Sequence, residues 1–353
     1  MAQKITLIRG DGIGPEVTAS ARDIVMASGA GVQFEEVAAG LAEGERSGTP
    51  LSAAVFESIA RNKVLLKGPT QTPFGGDYRV RIERKNDKGV VESRSHPSVA
   101  IALRKELGLY VNVRPVRNYP SVRSRYDNVD LVIFRENSED LYTGMERMID
   151  EGTAEATKII TFRATERVTL FALDYMRRLK RRKLTVGHKA NVMKMTDGLF
   201  LKTAQDTAKA YPDVTLEQRV VDALCMELVM KPETFDCLLL PNLYGDIISD
   251  LAAGLVGGLG VAPGANIGPD CAMFEAVHGS APDIAGKDIA NPMAAILSAV
   301  MMLRYIDQPR AADRIDAALS QVLAEKRDVT RDLGGDAGTR RMTEAIVAKL
   351  QRK

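Results

Sequence analysis

Lys4-Ile5-Thr6-Leu7-Ile8-Arg9-Gly10-Asp11-Gly12-Ile13-Gly14-Pro15-Glu16-Val17 is the stretch on which the fold is read. Lys4 to Ile8 is a short apolar run, Gly10 to Glu16 is rich in turn formers, and the apolar spacing from Val17 to Ala27 is helical. Strand, glycine loop and helix, in that order, open an α/β layer. Further apolar runs stand at Val64 to Leu66, Leu131 to Phe134, Leu184 to Gly187 and Cys237 to Leu240, between helix-like segments such as Phe162 to Leu179 and Gly198 to Ala210. This alternation predicts an α/β sheet covered by helices. No repeat of solenoid length and no low-complexity segment interrupts it.

Over the whole chain, 48 Lys and Arg stand against 46 Asp and Glu in 353 residues, a net charge of +2, which excludes nucleic-acid binding driven by bulk charge. Apolar residues at 45% and charged residues at 27% exclude a disordered chain. The length suggests two lobes, neither necessarily contiguous in sequence. Cys225, Cys237 and Cys271 form no CxxC pair and leave one over after any pairing, so a disulfide framework is not expected and a reducing cytoplasm is. The first ten residues lack the apolar core of a secretory leader. The longest nearly apolar stretch, Pro292 to Leu303, is closed by Arg304 and falls short of the roughly 20 residues that span a bilayer, so no membrane contact is expected.

Two segments read as β-hairpins. Asp77 to Arg84 and Val90 to Arg94 flank an Asn86-Asp87-Lys88-Gly89 turn, with Arg79 and Arg81 on one face. A solvated charged ribbon is the expectation for this insertion. The second runs from Tyr142 through Asp150-Glu151-Gly152 to Thr161 and is suited to exchanging strands with a partner subunit.

Asn242-Leu243-Tyr244-Gly245-Asp246-Ile247-Ile248-Ser249-Asp250 follows the buried-strand pattern directly. Asp246 and Asp250 are four apart on a helix, so both carboxylates project from one face. Oxygen ligands so placed suit magnesium or manganese, whereas zinc calls for His or Cys clusters that the chain lacks. Helix capping by Asp246, with Asp250 merely solvated, is the alternative. Gly254, Gly257, Gly258 and Gly260 make the following segment pack closely or give way to a loop. Neither GxGxxG nor GxxxxGK[ST] occurs, so a Rossmann dinucleotide loop and a Walker loop are unsupported. The cluster from Phe274 to Lys287, with His278, Gly279, Pro282 and Asp283, can offer backbone donors and one carboxylate to a nucleotide, or be an ordinary turn. Arg104, Arg114 and Arg135 each stand at the edge of an apolar segment, and together they suit a substrate with several carboxylates.

Taken in order, Gly10 to Glu16, Leu103 to Val116, Phe134 to Gly144, His188 to Phe200, Asn242 to Asp250 and His278 to Pro292 resemble the signatures of the metal-dependent β-hydroxyacid oxidative decarboxylases. That family comprises the isocitrate, homoisocitrate, 3-isopropylmalate and tartrate dehydrogenases. The likeness covers nearly the whole chain and is greatest to NAD-dependent isocitrate dehydrogenases. It implies an isopropylmalate dehydrogenase-like, two-lobed, open α/β sheet that is not of the Rossmann type. Residues 1–109 and 256–353 would form the large, NAD-binding lobe, and 110–255 the small lobe, with the dimer hairpin near 142–161 and the inserted hairpin at 77–95. The active site would lie between lobes and take residues from two subunits of a homodimer.

The resemblance also implies roles. Ser98, Arg104, Arg114 and Arg135 would bind the substrate. Asp246 and Asp250, with Asp222 of the neighbouring subunit, would hold Mg²⁺ or Mn²⁺. Tyr142 and the neighbour's Lys189, beside Asn191, would be the acid and base groups. Thr72, Glu275, His278, Gly279, Asp283, Ile284 and Asn291 would surround the coenzyme. Phosphate-preferring relatives resemble Lys-Tyr where this chain has Asp283-Ile284, and a carboxylate there favours ribose hydroxyls over a 2′-phosphate, so NAD is expected. The reaction implied is that of an oxidoreductase converting an isocitrate-like 2-hydroxy acid to a 2-oxo acid, CO2 and NADH. Isocitrate enzymes typically have Ser-x-Asn where this chain has Ser98-Val99-Ala100, and the extra hairpin falls in the loop that reads the variable substituent. Homoisocitrate and a phosphonate-bearing analogue are therefore the alternative substrates, with Arg79, Arg81 or Arg94 meeting an extra anion. A non-catalytic regulatory subunit is the alternative of another class.

Overall fold

The computed structural model describes residues 2–73, 78–85 and 91–351. Its first strand, β1 (Gln3–Ile8), its first helix, α1 (Gly14–Ala27), and the glycine loop between them fall where the opening stretch predicts. The chain continues through β2 (Val32–Val37), α2 (Leu41–Ser47), α3 (Ala53–Asn62), β3 (Val64–Lys67), β4 (Val80–Lys85), β5 (Val91–His96), α4 (Val99–Glu106), β6 (Val111–Arg117) and β7 (Asp130–Glu136). A 3-10 turn, Asp140–Thr143, leads to β8 (Glu146–Asp150), β9 (Thr153–Ala156), α5 (Phe162–Arg178), β10 (Lys183–His188), α6 (Thr196–Ala208), β11 (Thr215–Val220) and α7 (Val221–Met230). The last elements are β12 (Cys237–Leu240), α8 (Asn242–Val256), β13 (Pro263–Ile267), β14 (Ala272–Ala276), α9 (Met293–Tyr305), α10 (Pro309–Glu325) and α11 (Thr339–Gln351).

Ten strands form one sheet in the order β11-β10-β12-β7-β6-β13-β14-β3-β1-β2. Strands β11, β10, β12 and β7 run parallel, as do β14, β3, β1 and β2. Antiparallel pairs β7/β6, β6/β13 and β13/β14 join the two parallel blocks. The α/β expectation holds, and the sheet differs from a Rossmann sheet at this central seam.

Burial explains the strand sequences. All four residues of β3 and of β12 are buried, because helices cover both faces of the sheet and a continuous apolar run is what such a strand requires. In α5, Ala164, Val168, Ala172, Leu173 and Met176 form the buried stripe of a surface helix. Helix α9 is buried on nearly every side and packs centrally against the sheet. At 13 residues it is too short to span a membrane, and among the described residues no helix is long and apolar enough to do so.

The inserted hairpin pairs antiparallel over β4 and β5, while Asp77 and the turn Asn86-Asp87-Lys88-Gly89 lie outside the described residues. It is not the wholly solvated ribbon expected from its charge. Val80 and Ile82 are buried in a second core with Val99 and Leu103 of α4, while Arg79, Arg81 and Glu83 face solvent. Alternation along a strand accounts for both facts. Strands β8 and β9 form the second hairpin and lie almost entirely exposed.

Candidate active site

The seam of the sheet builds the site. On β6, Asn112 and Arg114 point to one face while Val113 enters the core on the other, and β7 ends in the buried pair Arg135 and Glu136. Arg135 Nε and Nη2 donate to Asn242 Oδ1 at 3.0 and 2.7 Å, which ties the end of β7 to the first residue of α8. Gly245 permits this approach: a Cβ there would lie 2.5 Å from Arg135 Cγ. One residue further, Asp246 forms an ion pair with Arg135.

Because α8 begins at Asn242, Asp246 sits a full turn inside the helix, and the capping alternative is excluded. Arg114 reaches both aspartates, with Nη2 3.4 Å from Asp246 and Nη1 3.2 Å from Asp250, and its Nε donates to Asn112 Oδ1 at 2.7 Å. The Tyr142 hydroxyl donates to Asp246, and the Arg135 guanidinium lies 4.9 Å from the centre of the Tyr142 ring.

Burial costs every charge here, and the neighbours decide the outcome. Burial, reinforced by the proximity of Arg114, lowers Arg135 to about 10. Burial opposes the Asp246 carboxylate, yet Arg135 and Arg114 hold its titration below the ordinary value. Asp250 is raised by burial, with Arg114 only partly offsetting it. Burial and the bond to Asp246 raise Tyr142, so the phenol keeps its proton at neutral pH.

Arg104 lies across a cavity of about 180 Å³ that Arg114, Ala100, Lys67, Glu275 and His278 also line. Its Nη2 donates to Glu275 at 3.0 Å, while its buried Nε has no partner among the described residues. Glu275 also pairs with Lys67 at 2.8 Å and accepts from Asn266 at 2.9 Å. Burial disfavours this carboxylate, but Lys67 and Arg104 hold its titration far below the usual range. Lys67 and Asn112 were not among the residues singled out from sequence. Their signal was a polar residue within or closing a buried apolar strand, which costs free energy unless it is bonded.

Lys189 and Asp222 pair with each other at 2.5 Å, the lysine from the loop after β10 and the aspartate from the start of α7. Among the described residues, no three His, Cys, Asp or Glu groups of one chain come together as a metal site. The donor set that one chain brings to this place is the two aspartates of α8. Two carboxylates on one helical face, one with its charge incompletely offset, fit a hard dication, with room left for further oxygen ligands.

Among the residues expected around a coenzyme, His278 has Nδ1 3.0 Å from the carbonyl of Gly279, while Nε2 is buried with no partner among the described residues. Burial lowers His278, so the ring is neutral and, with its proton on Nδ1, offers a bare acceptor. An orphaned acceptor at the rim of a polar cavity fits the amide and amine donors of a nicotinamide adenine dinucleotide. Asp283 is exposed and Ile284 half-buried in the turn that follows. Asn291 is engaged elsewhere, donating to Asp332 at 2.8 Å and accepting from the Met293 amide at 2.9 Å. Thr72 is exposed beyond β3, next to Gln71, whose amide donates to Asp11. Asp11 also accepts from the amides of Leu41 and Ala42, fixing the start of α2, a task its place in the glycine loop did not reveal.

Ser98 accepts from the Ile101 amide at 3.1 Å and caps α4, which puts Ala100 and Arg104 on the cavity side of that helix. Arg94 is drawn to Glu92 and Glu106 at 3.5 and 3.6 Å. Among the described residues, neither it nor Arg79 nor Arg81 lines the cavity.

Three guanidiniums facing two aspartates and a neutral phenol, at the antiparallel seam of an otherwise parallel sheet, define a site for a small polycarboxylate. The profile of the isocitrate/isopropylmalate dehydrogenase family matches residues 4–346, and the chain belongs to that family. It is 46% identical to isocitrate dehydrogenase [NAD] catalytic subunit 5, mitochondrial, of Arabidopsis thaliana, over 98% of this chain and 88% of that protein. It is 45% identical to the chloroplastic 3-isopropylmalate dehydrogenase of Solanum tuberosum, over 91% and 85%. The crystal structure of isocitrate dehydrogenase from Methylococcus capsulatus superimposes with a TM-score of 0.92 at 46% identity, covering the whole of both chains.

Proposed function

We propose that this chain is an NAD-dependent oxidoreductase that oxidatively decarboxylates isocitrate, with Mg²⁺ or Mn²⁺ held by Asp246 and Asp250 together with Asp222 of a second copy. The observation that carries this reading is that Arg114 and Arg135 pair with those aspartates while Arg104 lines one cavity with Arg114. Overall identity does not choose between isocitrate and isopropylmalate, since relatives of both kinds stand within one percentage point of each other. Local chemistry favours isocitrate: Lys67, Arg104, Asn112 and Arg114 are among the residues lining the cavity, and donors of this kind suit a third carboxylate.

In this account the arginines bind and orient the substrate carboxylates, where buried guanidiniums make strong bidentate contacts. A dication held by Asp246 and Asp250 would supply Lewis acidity and bound NAD would supply the hydride acceptor, so the residues' own tasks are to bind, orient and move protons. Lys189 of the second copy receives the hydroxyl proton. After CO2 leaves, Tyr142, kept protonated by burial and by Asp246, returns a proton to the carbon that bore the lost carboxyl. All eight arginine, tyrosine, lysine and aspartate positions implied for catalysis are present, which favours a catalytic over a regulatory chain.

The assembly in this reading is a homodimer in the cytoplasm. Met145, Met148 and Ile149 on the second hairpin, with Met226, Val229 and Met230 on α7, leave large apolar surfaces exposed, and a two-stranded ribbon is marginal without something to pack on. Three free cysteines agree with a reducing compartment.

One observation favours a second reading. Ala100 gives the cavity wall only a methyl group, so a longer substituent, as in homoisocitrate or a phosphonate analogue, would find space. The test is NADH formation with isocitrate, homoisocitrate and 3-isopropylmalate side by side, and with NADP⁺ replacing NAD⁺. A kcat/KM greatest for isocitrate with NAD⁺ supports the proposal; preference for either other acid overturns the substrate.

A further inference from the structure

Lys158 lies just past the exposed second hairpin, and its ammonium is drawn inward. With its side chain 12% exposed, Nζ stands 2.6 Å from Asp197 and 3.7 Å from Asp140, both of which are fully buried. The same ammonium lies 4.5 Å from the centre of the Tyr244 ring. Among the described residues both buried carboxylates form their ion pair with this ammonium, so its removal would leave charge without compensation, a costly state in a low-dielectric interior.

Each carboxylate also grips a different part of the site. Asp140 Oδ2 accepts the Leu243 amide at 2.9 Å in the first turn of α8, the helix that carries Asp246. The Asp140 amide in turn donates to Ile159 O at 2.8 Å, and two residues further on stands Tyr142. Asp197 Oδ2 accepts the Lys189 amide at 2.7 Å, and, after burial, its charge helps to raise the Tyr244 hydroxyl. Lys158 is thus the bridge between the segment bearing Tyr142 and Asp246 and the loop bearing Lys189.

We propose that Lys158 is a positioning residue that locks these two segments together and, because it stands where the hairpin re-enters the body, ties both to the seating of that hairpin on a second copy. Resting on the reading above, in which Lys189 and Tyr142 of one chain serve different active sites, the bridge couples the two sites of the dimer. It does not line the cavity between Arg104 and His278. Its effect runs through backbone amides, whose placement sets where the Lys189 ammonium and the Asp246 carboxylate begin.

The experiment is hydrogen exchange of the Lys189 and Leu243 amides in the intact dimer, for wild type, Lys158→Met and Asp140→Asn. Lys158→Met is expected to speed both amides together, by about tenfold or more, through local opening. Asp140→Asn, the milder change, removes charge beside Leu243 only, yet is expected to speed Lys189 as well through the shared lysine. With isocitrate, Lys158→Met should lower kcat by about tenfold to a hundredfold, as misplaced catalytic groups do, while KM moves little. Exchange at Lys189 that stays at the wild-type rate in both variants overturns the proposal, as does unchanged kcat when both amides are faster. Should Lys158→Met fail to fold, Asp140→Asn alone decides. Wild-type protein inactive on isocitrate would count against the proposed reaction, and the exchange result would still judge Lys158.

Discussion

Arg114 spans the two aspartates of α8, holding Asp246 at 3.4 Å with one nitrogen of its guanidinium and Asp250 at 3.2 Å with another. The contact neutralises part of the carboxylate pair, and Arg114 also lines the cavity that Arg104 and Glu275 share. Replacing it with Gln removes the charge and the bidentate grip together. Arg114→Gln is expected to lower kcat/KM for isocitrate by about 10²–10³, the cost of losing one charge-stabilising donor in a closed site, with the fold retained by circular dichroism.

Tyr142 donates to Asp246 and is half-buried, so Phe fits its place without the proton. Tyr142→Phe is expected to reduce kcat by about 10²–10⁴ with little change in KM, the pattern of a lost proton donor. Steady-state kinetics with isocitrate check it, and a large rise in KM at constant kcat would assign Tyr142 to binding instead.

Glu139 supplies the pH dependence. Burial lifts its carboxyl from the ordinary 4.5 to about 7, with Glu136 and Asp140 adding to the rise, although the Thr161 amide and hydroxyl oppose it. A raised folded pKa means that the native state binds the extra proton, so this stabilisation is complete below about 4.5 and is lost as pH rises through about 7. Melting temperature should therefore fall between about pH 5 and about pH 8, and Glu139→Gln should flatten that fall by about 2–4 °C. Parallel curves for the two proteins would assign the pH dependence to other groups.

Gly245 tests the packing of α8 on β7. A methyl there meets the Cβ and Cγ of buried Arg135 at 2.7 and 2.5 Å, and neither atom can swing away. Gly245→Ala is expected to cost about 1–3 kcal/mol of stability by overpacking and to displace Asp246 enough to abolish most activity. Urea denaturation alongside the NADH assay measures both.

Much of the fold was legible because its signals are local. The buried runs at Val64 to Leu66 and Cys237 to Leu240, the stripe on α5 and the glycine loop before α1 each depend on a few neighbouring residues. The antiparallel seam was not, since β13 pairs with β6 across about half the chain and nothing near either strand records it. In the site, Asp246 and Asp250 declared themselves by their helical spacing. Arg104 and Glu275 were each read as site residues, but the bond between them was not legible: it joins residues 171 positions apart, and only the folded sheet shows it. The inserted hairpin misled through its charge, because a ribbon with arginines on one face still buries Val80 and Ile82 on the other.

Metal-assisted oxidative decarboxylation with NAD⁺ is tested by measuring CO2 and NADH together from isocitrate, with Mg²⁺ and then with EDTA. Equal molar yields of CO2 and NADH are expected, lost with EDTA and restored by Mg²⁺ or Mn²⁺. NADH formed without CO2, or turnover indifferent to EDTA, would rule out this reaction.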